Sequence, residues 1–128
     1  MITPEQLAAS GTEHGHQVAL CQWAALNFSR WPELKLLHAI PNGGTRSKAE
    51  AARLKAEGVK AGVSDLFLPV ARCGFHGLYM EMKRPGEKAK PKQIEWGEAV
   101  LAQGYLFAIC DNWQKAAEFL EKYLEGMP

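Results

Sequence analysis

The chain has 128 residues, of which 47% are hydrophobic and 23% charged, with a formal net charge of +1. These values are typical of one globular domain, and they exclude a disordered tail and a collagen-like repeat. No apolar run approaches the roughly 18 residues of a membrane span, and the N-terminus lacks the basic and apolar regions of a signal peptide. The three cysteines are far apart and form no C-x-x-C pair, which indicates reduced thiols. We therefore expect a single cytoplasmic domain over residues 1–128, with no membrane partner.

The charged residues are segregated along the chain. Residues 42–60 carry five basic and two acidic side chains, and residues 83–92 carry five basic and one acidic. Beyond residue 94, six acidic side chains stand against two basic ones. This distribution suits a polyanion that binds to one face of the protein, although solvated loops and helix faces produce charge runs of the same kind.

The first half of the chain predicts helices around one strand. A proline-containing cap begins a short helix at Thr3, and a second cap at Thr12 begins a longer helix that ends near residue 29. The alternation over residues 34–40 predicts a strand that leads into the glycine-rich turn 41–44. Residues 46–57 are rich in Ala, Lys, Arg and Glu, which predicts a helix. The buried stripe of the long helix is expected to comprise Val18, Cys21, Ala25 and Phe28.

The second half predicts three strands and two helices. The apolar runs 65–70 and 78–83 flank a glycine-containing turn, which favours an antiparallel hairpin. A helix begins at Pro91, the apolar run 106–110 predicts a strand covered on both faces, and Asp111 caps a last helix. A strand–helix–strand order requires a parallel crossover, so the sheet is mixed. The buried faces of the two helices are expected to hold Ile94, Gly97 and Leu101, and Trp113, Ala117, Leu120 and Leu124.

Two carboxylates and a lysine converge in this arrangement. Glu81 and Lys83 share one face of the second hairpin strand, and Met82 points to the other face. Antiparallel pairing brings Asp65, at the start of the partner strand, beside Glu81. Such a group suits a hard divalent cation, because Mg²⁺ prefers oxygen ligands and activates water at a phosphodiester. The alternative is a surface Glu–Lys pair with an unrelated aspartate.

Other polar and aromatic residues have simpler interpretations. His14 and His16 lack the i, i+4 spacing of a helical metal pair, so a structural or solvent-exposed role is expected. The turn 41–44 is no P-loop, and it favours a backbone approach to phosphate. Two roles are left open for Trp96: packing in the core and stacking on a nucleic-acid base.

One set of residues resembles the core motif of the PD-(D/E)xK nuclease superfamily: Asp65, Glu81-Met82-Lys83 and Gln93. A further set resembles more specifically the VRR-NUC (virus-type replication-repair nuclease) family: Glu13, Gln17, Asn42-Gly43-Gly44, Gly58, Gly62 and Gln93-x-x-Trp96. The resemblance covers roughly residues 12–112, nearly the whole chain. A departure is Ser64, which stands where the superfamily signature has proline. Small stand-alone members of this type are similar to archaeal and phage Holliday-junction resolvases.

The resemblance implies a restriction-endonuclease-like α/β fold, with an αβββαβ core and a helix inserted between the first two strands. It implies a hydrolase, a Mg²⁺-dependent endonuclease of DNA repair for which Mn²⁺ substitutes, in a bacterial or phage-infected cell. This enzyme would cut branched, Holliday-junction-like DNA and leave a 5′-phosphate and a 3′-hydroxyl. The implied metal ligands are Glu13, Asp65, Glu81 and the backbone carbonyl of Met82. The implied catalytic residues are Asp65, Glu81, Lys83 and Gln93. Lys83 would position the attacking water, and Gln93 would contact that water or the scissile phosphate.

The expected partners are DNA and a second copy of the chain. A junction that is cut symmetrically needs two sites related by a two-fold axis, which favours a homodimer. Trp23, Phe28 and Trp31 would supply its contact, unless they complete the core. The alternatives to a junction-cutting enzyme are a non-catalytic DNA-binding module on the same fold and a nuclease directed to flaps or nicks. The expected DNA-binding residues are Asn42, Gly43, Gly44, Arg46, Lys48, Lys88, Lys90 and Lys92.

Overall fold

The structure, a computed structural model, describes residues 1–41 and 47–127. Four strands form one sheet, and helices pack on its two faces. The helices are α1 (Pro4–Leu7), α2 (Glu13–Leu26), α3 (Lys48–Ala56), α4 (Pro91–Ala102) and α5 (Trp113–Glu125), with 3₁₀ segments at Ala8–Ser10 and Pro32–Leu36. The strands are β1 (His38–Ala39), β2 (Leu66–Leu68), β3 (Leu78–Met82) and β4 (Leu106–Cys110).

The sheet is mixed, with the strand order β1-β2-β3-β4. β2 is antiparallel to both of its neighbours, and β4 runs parallel to β3 after the crossover through α4. α3 lies in the chain between β1 and β2. The predicted α/β fold, with its hairpin, parallel crossover and inserted helix, is therefore confirmed.

The main core lies between the sheet and the helices α2 and α5. Met80 and Met82 point from β3 into this core, where they join Leu20 of α2 and Leu120 of α5. His16 is buried in the same layer, and its Nδ1 accepts a hydrogen bond from the backbone N–H of Trp113 at 3.0 Å. That contact satisfies a free donor at the start of α5, so the structural role expected of His16 is confirmed.

The opposite face of the sheet carries α4. A Cβ atom at Gly97 would lie 2.3 Å from the ring of Phe107, so only glycine permits this close approach of α4 to β4. Tyr79 lies on this face, and its ring meets Trp96 edge to face with centroids 5.6 Å apart. Side chains alternate along a strand, so Glu81, two residues after Tyr79, points to the same side of the sheet.

Two expectations for the first half are wrong. The buried positions of α2 include Ala19 and Ala24, whereas Val18, Cys21 and Ala25 are exposed, because apolar residues surround this helix and periodicity alone does not choose its buried face. The predicted strand 34–40 is a 3₁₀ segment followed by a two-residue strand. Proline at the first position of that segment fixes a helical φ angle, and this outweighs the alternation.

In the second half, the stripe predicted for α5 is confirmed, but three other details differ. The cap of α5 is Asn112 and not Asp111, since its side chain accepts from the N–H of Lys115 at 2.8 Å. α4 buries Gly97 but leaves Ile94 44% exposed. β4 is not covered on both faces, since Ile109, which pairs with Glu81, is 44% exposed. Within the described residues, none of the helices is long and apolar enough to cross a membrane.

Candidate active site

Asp65 and Glu81 stand opposite each other at one end of the sheet. Leu66 pairs with Met80 in the antiparallel register, so the next position places Asp65 across from Glu81. Oδ2 of Asp65 accepts a hydrogen bond from the backbone N–H of Met82 at 2.8 Å. The charge of Asp65 raises the pKa of Glu81, so the two acids interact electrostatically.

Glu81 is the more deeply buried of the two acids, with 1% of its surface exposed. Burial, followed by the charge of Asp65, raises its pKa to about 8. Burial is also the main cause of the raised pKa of Asp65, which the N–H of Met82 partly offsets. Oε2 of Glu81 is buried and has no hydrogen-bond donor among the described residues. The sheet therefore holds a costly pair of acids that a cation would stabilise.

Gln93 fixes the other oxygen of Glu81. Its Nε2 donates to Oε1 of Glu81 at 2.5 Å, and its Oε1 accepts from the backbone N–H of Lys90 at 2.7 Å. The second contact closes the first turn of α4, so the helix start and the carboxylate are held by one side chain. The oxygen and one of the two N–H donors of the Gln93 amide are used within the protein. Gln93 therefore orients Glu81, and the contact with water or phosphate that the resemblance implied stays a prediction for its second N–H.

Lys83 supplies the positive charge at this site. It follows β3 directly, its backbone N–H donates to the carbonyl of Cys110 at 2.8 Å, and only 1% of its surface is exposed. Its charge lowers the pKa of Glu81, of Asp65 and of two further acids nearby. A buried lysine is rare unless anions compensate it, so Lys83 and the carboxylates depend on each other.

The two further acids are Glu13 and Glu87. Glu13 begins α2, and burial together with a hydrogen bond to the Glu87 carboxyl raises its pKa to about 6. The charge of Asp65 also raises the pKa of Glu13, which places Glu13 at the edge of the site. The hydrogen bond to Glu13 lowers the pKa of Glu87 in turn. The resemblance implied Glu13, and the sequence analysis missed Glu87.

Glu87 reaches Glu13 through a tight turn. Its Oε1 accepts from the backbone N–H of Arg84 at 3.3 Å, and Gly86 between them has a φ of 83°. Proline followed by glycine with positive φ is typical of a type II turn. The Pro85-Gly86 pair predicts this turn from sequence, but no pattern in the neighbouring residues shows that the turn lies near α2.

The residues of the site suit a hard cation that retains water. No three His, Cys, Asp or Glu side chains within residues 1–41 and 47–127 form a ready metal cluster. Asp65 and Glu81 supply two carboxylates, and the Met82 carbonyl points to the same side of β3 as its N–H, towards Asp65. Mg²⁺ binds through one or two carboxylates and keeps several waters. The donor set and the unpartnered Oε2 of Glu81 therefore fit Mg²⁺ or Mn²⁺, and Glu13 stands one contact further out.

Basic side chains surround this end of the protein. Lys88, Lys90 and Lys92 are exposed and lie between the turn after Lys83 and the start of α4. Lys48 is exposed at the start of α3, a helix with no buried residue. The remaining residues predicted to bind DNA lie outside the described part of the chain: Asn42, Gly43, Gly44 and Arg46.

The aromatic residues assigned to a subunit contact pack against the core. Trp23, Phe28 and Trp31 are partly buried and contact the cluster between the sheet and α2. The guanidinium of Arg30 lies 5.3 Å from the ring centroid of Trp31. These contacts agree with the alternative in which the three rings complete the core of a single chain.

A family profile and a solved structure both relate this chain to the same family of domains. The sequence profile of the family described as "VRR-NUC domain" matches residues 5–113. A solved structure described as "VRR_NUC domain protein" is similar to this chain at 28% sequence identity and a TM-score of 0.77. The similarity covers 91% of this chain and 90% of that one. No curated protein matches this chain.

Proposed function

The chain belongs to the VRR-NUC domain family, and from this we propose that it is a Mg²⁺-dependent, structure-specific DNA endonuclease. Its substrate is branched DNA of the Holliday-junction kind, and its products carry a 5′-phosphate and a 3′-hydroxyl. The observation that supports the proposal best is the pair of the half-buried Asp65 and the buried Glu81, beside the buried Lys83.

An enzyme explains this pair better than a non-catalytic DNA-binding module does. Two carboxylates beside a phosphate, of which Glu81 is buried, repel the phosphate unless a cation intervenes, so a module that only binds DNA gains nothing from them. Their raised pKa values show that the fold holds them at a cost in free energy. Such costs are typical of active sites.

Asp65, Glu81 and the carbonyl of Met82 hold the metal, and Mn²⁺ substitutes for Mg²⁺. The bound ion supplies an activated water and neutralises charge on the phosphodiester. Gln93 keeps Glu81 oriented from behind. Lys83 positions the attacking water and stabilises the negative charge that develops on the phosphate. Glu13, with its raised pKa, and the ionised Glu87 add negative charge at the edge of the site.

The exposed lysines that flank the site bind the DNA backbone. Lys88, Lys90 and Lys92 precede the residues of α4 that reach Glu81, and Lys48 extends the basic surface to α3. The acidic residues of α5 lie on the other side of the sheet, where Glu121 pairs with Arg30 at 2.9 Å. A polyanion is therefore attracted to the side that carries the carboxylates and their cation.

We propose that the working unit is a homodimer, since two cuts related by a two-fold axis resolve a four-way junction symmetrically. Sedimentation equilibrium at micromolar concentration tests this, and the expected mass is twice that of the chain. A monomer mass together with full activity on a four-way junction would contradict the homodimer. That result would favour the second candidate function, a nuclease directed to flaps or nicks.

The experiment that tests the proposed function is incubation with end-labelled four-way, flapped, nicked and linear duplexes, with Mg²⁺ or with EDTA. We expect cleavage of branched DNA with Mg²⁺ only, and products that a ligase rejoins, since it requires 5′-phosphate and 3′-hydroxyl ends. Glu81→Gln is the matched inactive variant. If the protein binds every DNA but cuts none with Mg²⁺ or Mn²⁺, the non-catalytic binding module is the better description.

A further inference from the structure

An open cavity of about 360 Å³ lies between the segment after α3, the end of the β1 region and α4. Its walls include Pro41 at the end of the first strand region, Val59 and Val63 from the segment after α3, and Trp96 on α4. Two of these residues adjoin the site along the chain. Val63 precedes Asp65 by two residues, and Trp96 follows Gln93 by three residues, which is about one helical turn.

Two contacts join the walls of the cavity to the elements that carry the site. A Cβ atom at Gly62 would lie 2.7 Å from the carbonyl oxygen of Lys92, so the segment that carries Val63 packs closely on the first turn of α4. The backbone N–H of Ile40 donates to the carbonyl of Asp65 at 2.8 Å, which connects the opposite wall to the site.

The chemistry of the cavity suits a flat aromatic ligand that is attached to a phosphate. Trp96, Val59 and Val63 provide an aromatic ring and aliphatic surfaces. A nucleobase offers a flat π face that stacks on such a ring, whatever the sequence. Lys60 supplies a cation at the wall. Glu57 is also present there, but its Oε2 lies 3.6 Å from Nη1 of Arg53, which compensates its charge.

We propose that this cavity binds one unpaired nucleobase of the DNA, next to the phosphate that is cut. The proposal rests on the proposed nuclease function and specifies its substrate class. A base inside a duplex is stacked and paired, so it enters a pocket only after the cost of unpairing is met, whereas an unpaired base at a branch enters without that cost. The cavity thus recognises single-stranded character at the cut site. A four-way junction supplies such a base when a pair at its crossover opens.

The test is binding of splayed-arm DNA in EDTA, where no cleavage occurs, with an abasic nucleotide placed in turn at each unpaired position of the branch. An abasic nucleotide keeps the phosphate but removes the base. Stacking of one base on an aromatic side chain strengthens binding roughly 5- to 150-fold. We therefore expect the wild-type protein to bind more weakly, by that factor, when one particular position is abasic.

Two variants separate the cavity from the rest of the DNA surface. Val59→Trp fills the cavity and leaves Trp96 in place, and we expect it to bind intact and abasic DNA equally, at the level of the wild type with abasic DNA. Ile94→Trp is the matched control, because it adds the same ring on the exposed side of α4, and it should keep the discrimination. Circular dichroism of both variants verifies that they fold.

Three outcomes are informative. Loss of discrimination in Val59→Trp but not in Ile94→Trp supports the proposal. If no abasic position weakens DNA binding by the wild type, and Val59→Trp binds DNA as tightly as the wild type, the proposal is overturned while the nuclease function stands. If the wild-type protein binds none of these DNAs, both the proposal and the nuclease function fail.

Discussion

Nε2 of Gln93 lies 2.5 Å from Oε1 of Glu81, so the residue that closes the first turn of α4 also holds the most buried acid of the site. The contact orients one oxygen of Glu81 and leaves the other, Oε2, without a donor among the described residues. The start of α4 and the carboxylate proposed to bind the metal are thereby coupled. We therefore expect metal affinity to depend on Gln93 as well.

Gln93→Glu tests this coupling. The variant keeps an oxygen that accepts from the N–H of Lys90, but it replaces the donor to Glu81 with a repelling carboxylate. We expect the Mg²⁺ concentration for half-maximal cleavage to rise about 10- to 100-fold, with the cleavage rate at saturating Mg²⁺ less affected. Glu95→Gln, at an exposed position of the same helix, is the control and should change neither. An unchanged Mg²⁺ dependence of Gln93→Glu would rule out the positioning role.

Lys83→Met removes the buried charge and keeps most of the side-chain volume. Loss of a preorganised charge at the reacting centre lowers the rate by about 100- to 1000-fold. DNA affinity should stay within about twofold, because the chain retains its exposed basic residues. Lys88→Met, on the exposed surface, is the control for loss of one positive charge. If Lys83→Met cuts DNA within threefold of the wild-type rate, Lys83 is not the catalytic lysine.

Replacement of Lys88, Lys90 and Lys92 by alanine tests the DNA-binding surface. Each phosphate contact contributes about 0.9 to the slope of log affinity against log salt concentration. The triple variant should therefore lower the magnitude of that slope by up to about 2.7, with little change in sequence preference. The double variant of Lys35 and Lys122, on other surfaces, should leave the slope unchanged. An unchanged slope in the triple variant would remove these lysines from the interface.

The acids of the site predict how stability depends on pH in the absence of metal. Burial and the charge of Asp65 raise the pKa of Glu81 from 4.5 to about 8, so the folded protein keeps a proton that the unfolded chain releases above about pH 4.5. The free energy of unfolding therefore falls between about pH 5 and pH 8, by at most about 1.4 kcal/mol per pH unit for this group. Glu13, with its pKa raised to about 6, acts in the same direction.

Thermal unfolding from pH 5 to 8.5 in EDTA measures this dependence. The melting temperature of Glu81→Gln should fall less steeply with pH than that of the wild type, and Mg²⁺ should stabilise the wild type most at pH 8. A wild-type melting temperature that rises over this range, or a variant with the full wild-type slope, would show that Glu81 is ionised in the metal-free protein.

The central pair of the site follows from local rules. Alternation along a strand and the register of one hairpin suffice to place Asp65 opposite Glu81, and the same rules put Met82 in the core. The strands of the hairpin are consecutive in the chain, joined by residues 69–77, so few alternative pairings compete. This explains why the acids could be placed from sequence and why the hairpin is confirmed.

Contacts between distant elements could not be predicted in this way. Glu87 meets Glu13 only because the turn after β3 packs near the start of α2, and no periodicity in either segment shows this. The prediction of which α2 residues are buried was wrong for a related reason. Val18 and Cys21 are as apolar as the buried Ala19, and the choice between them is made by the sheet that α2 covers.

Calorimetric titration of Mn²⁺ into the metal-free protein tests most directly whether Asp65 and Glu81 bind a divalent cation. We predict saturable binding to the wild-type protein and release of a proton on binding, because the pKa of Glu81, raised to about 8, leaves this acid protonated at neutral pH. Binding to Asp65→Asn should be at least about tenfold weaker. Equal Mn²⁺ affinity of the wild type and Asp65→Asn, or no binding to the wild type, would show that these two residues do not hold the cation.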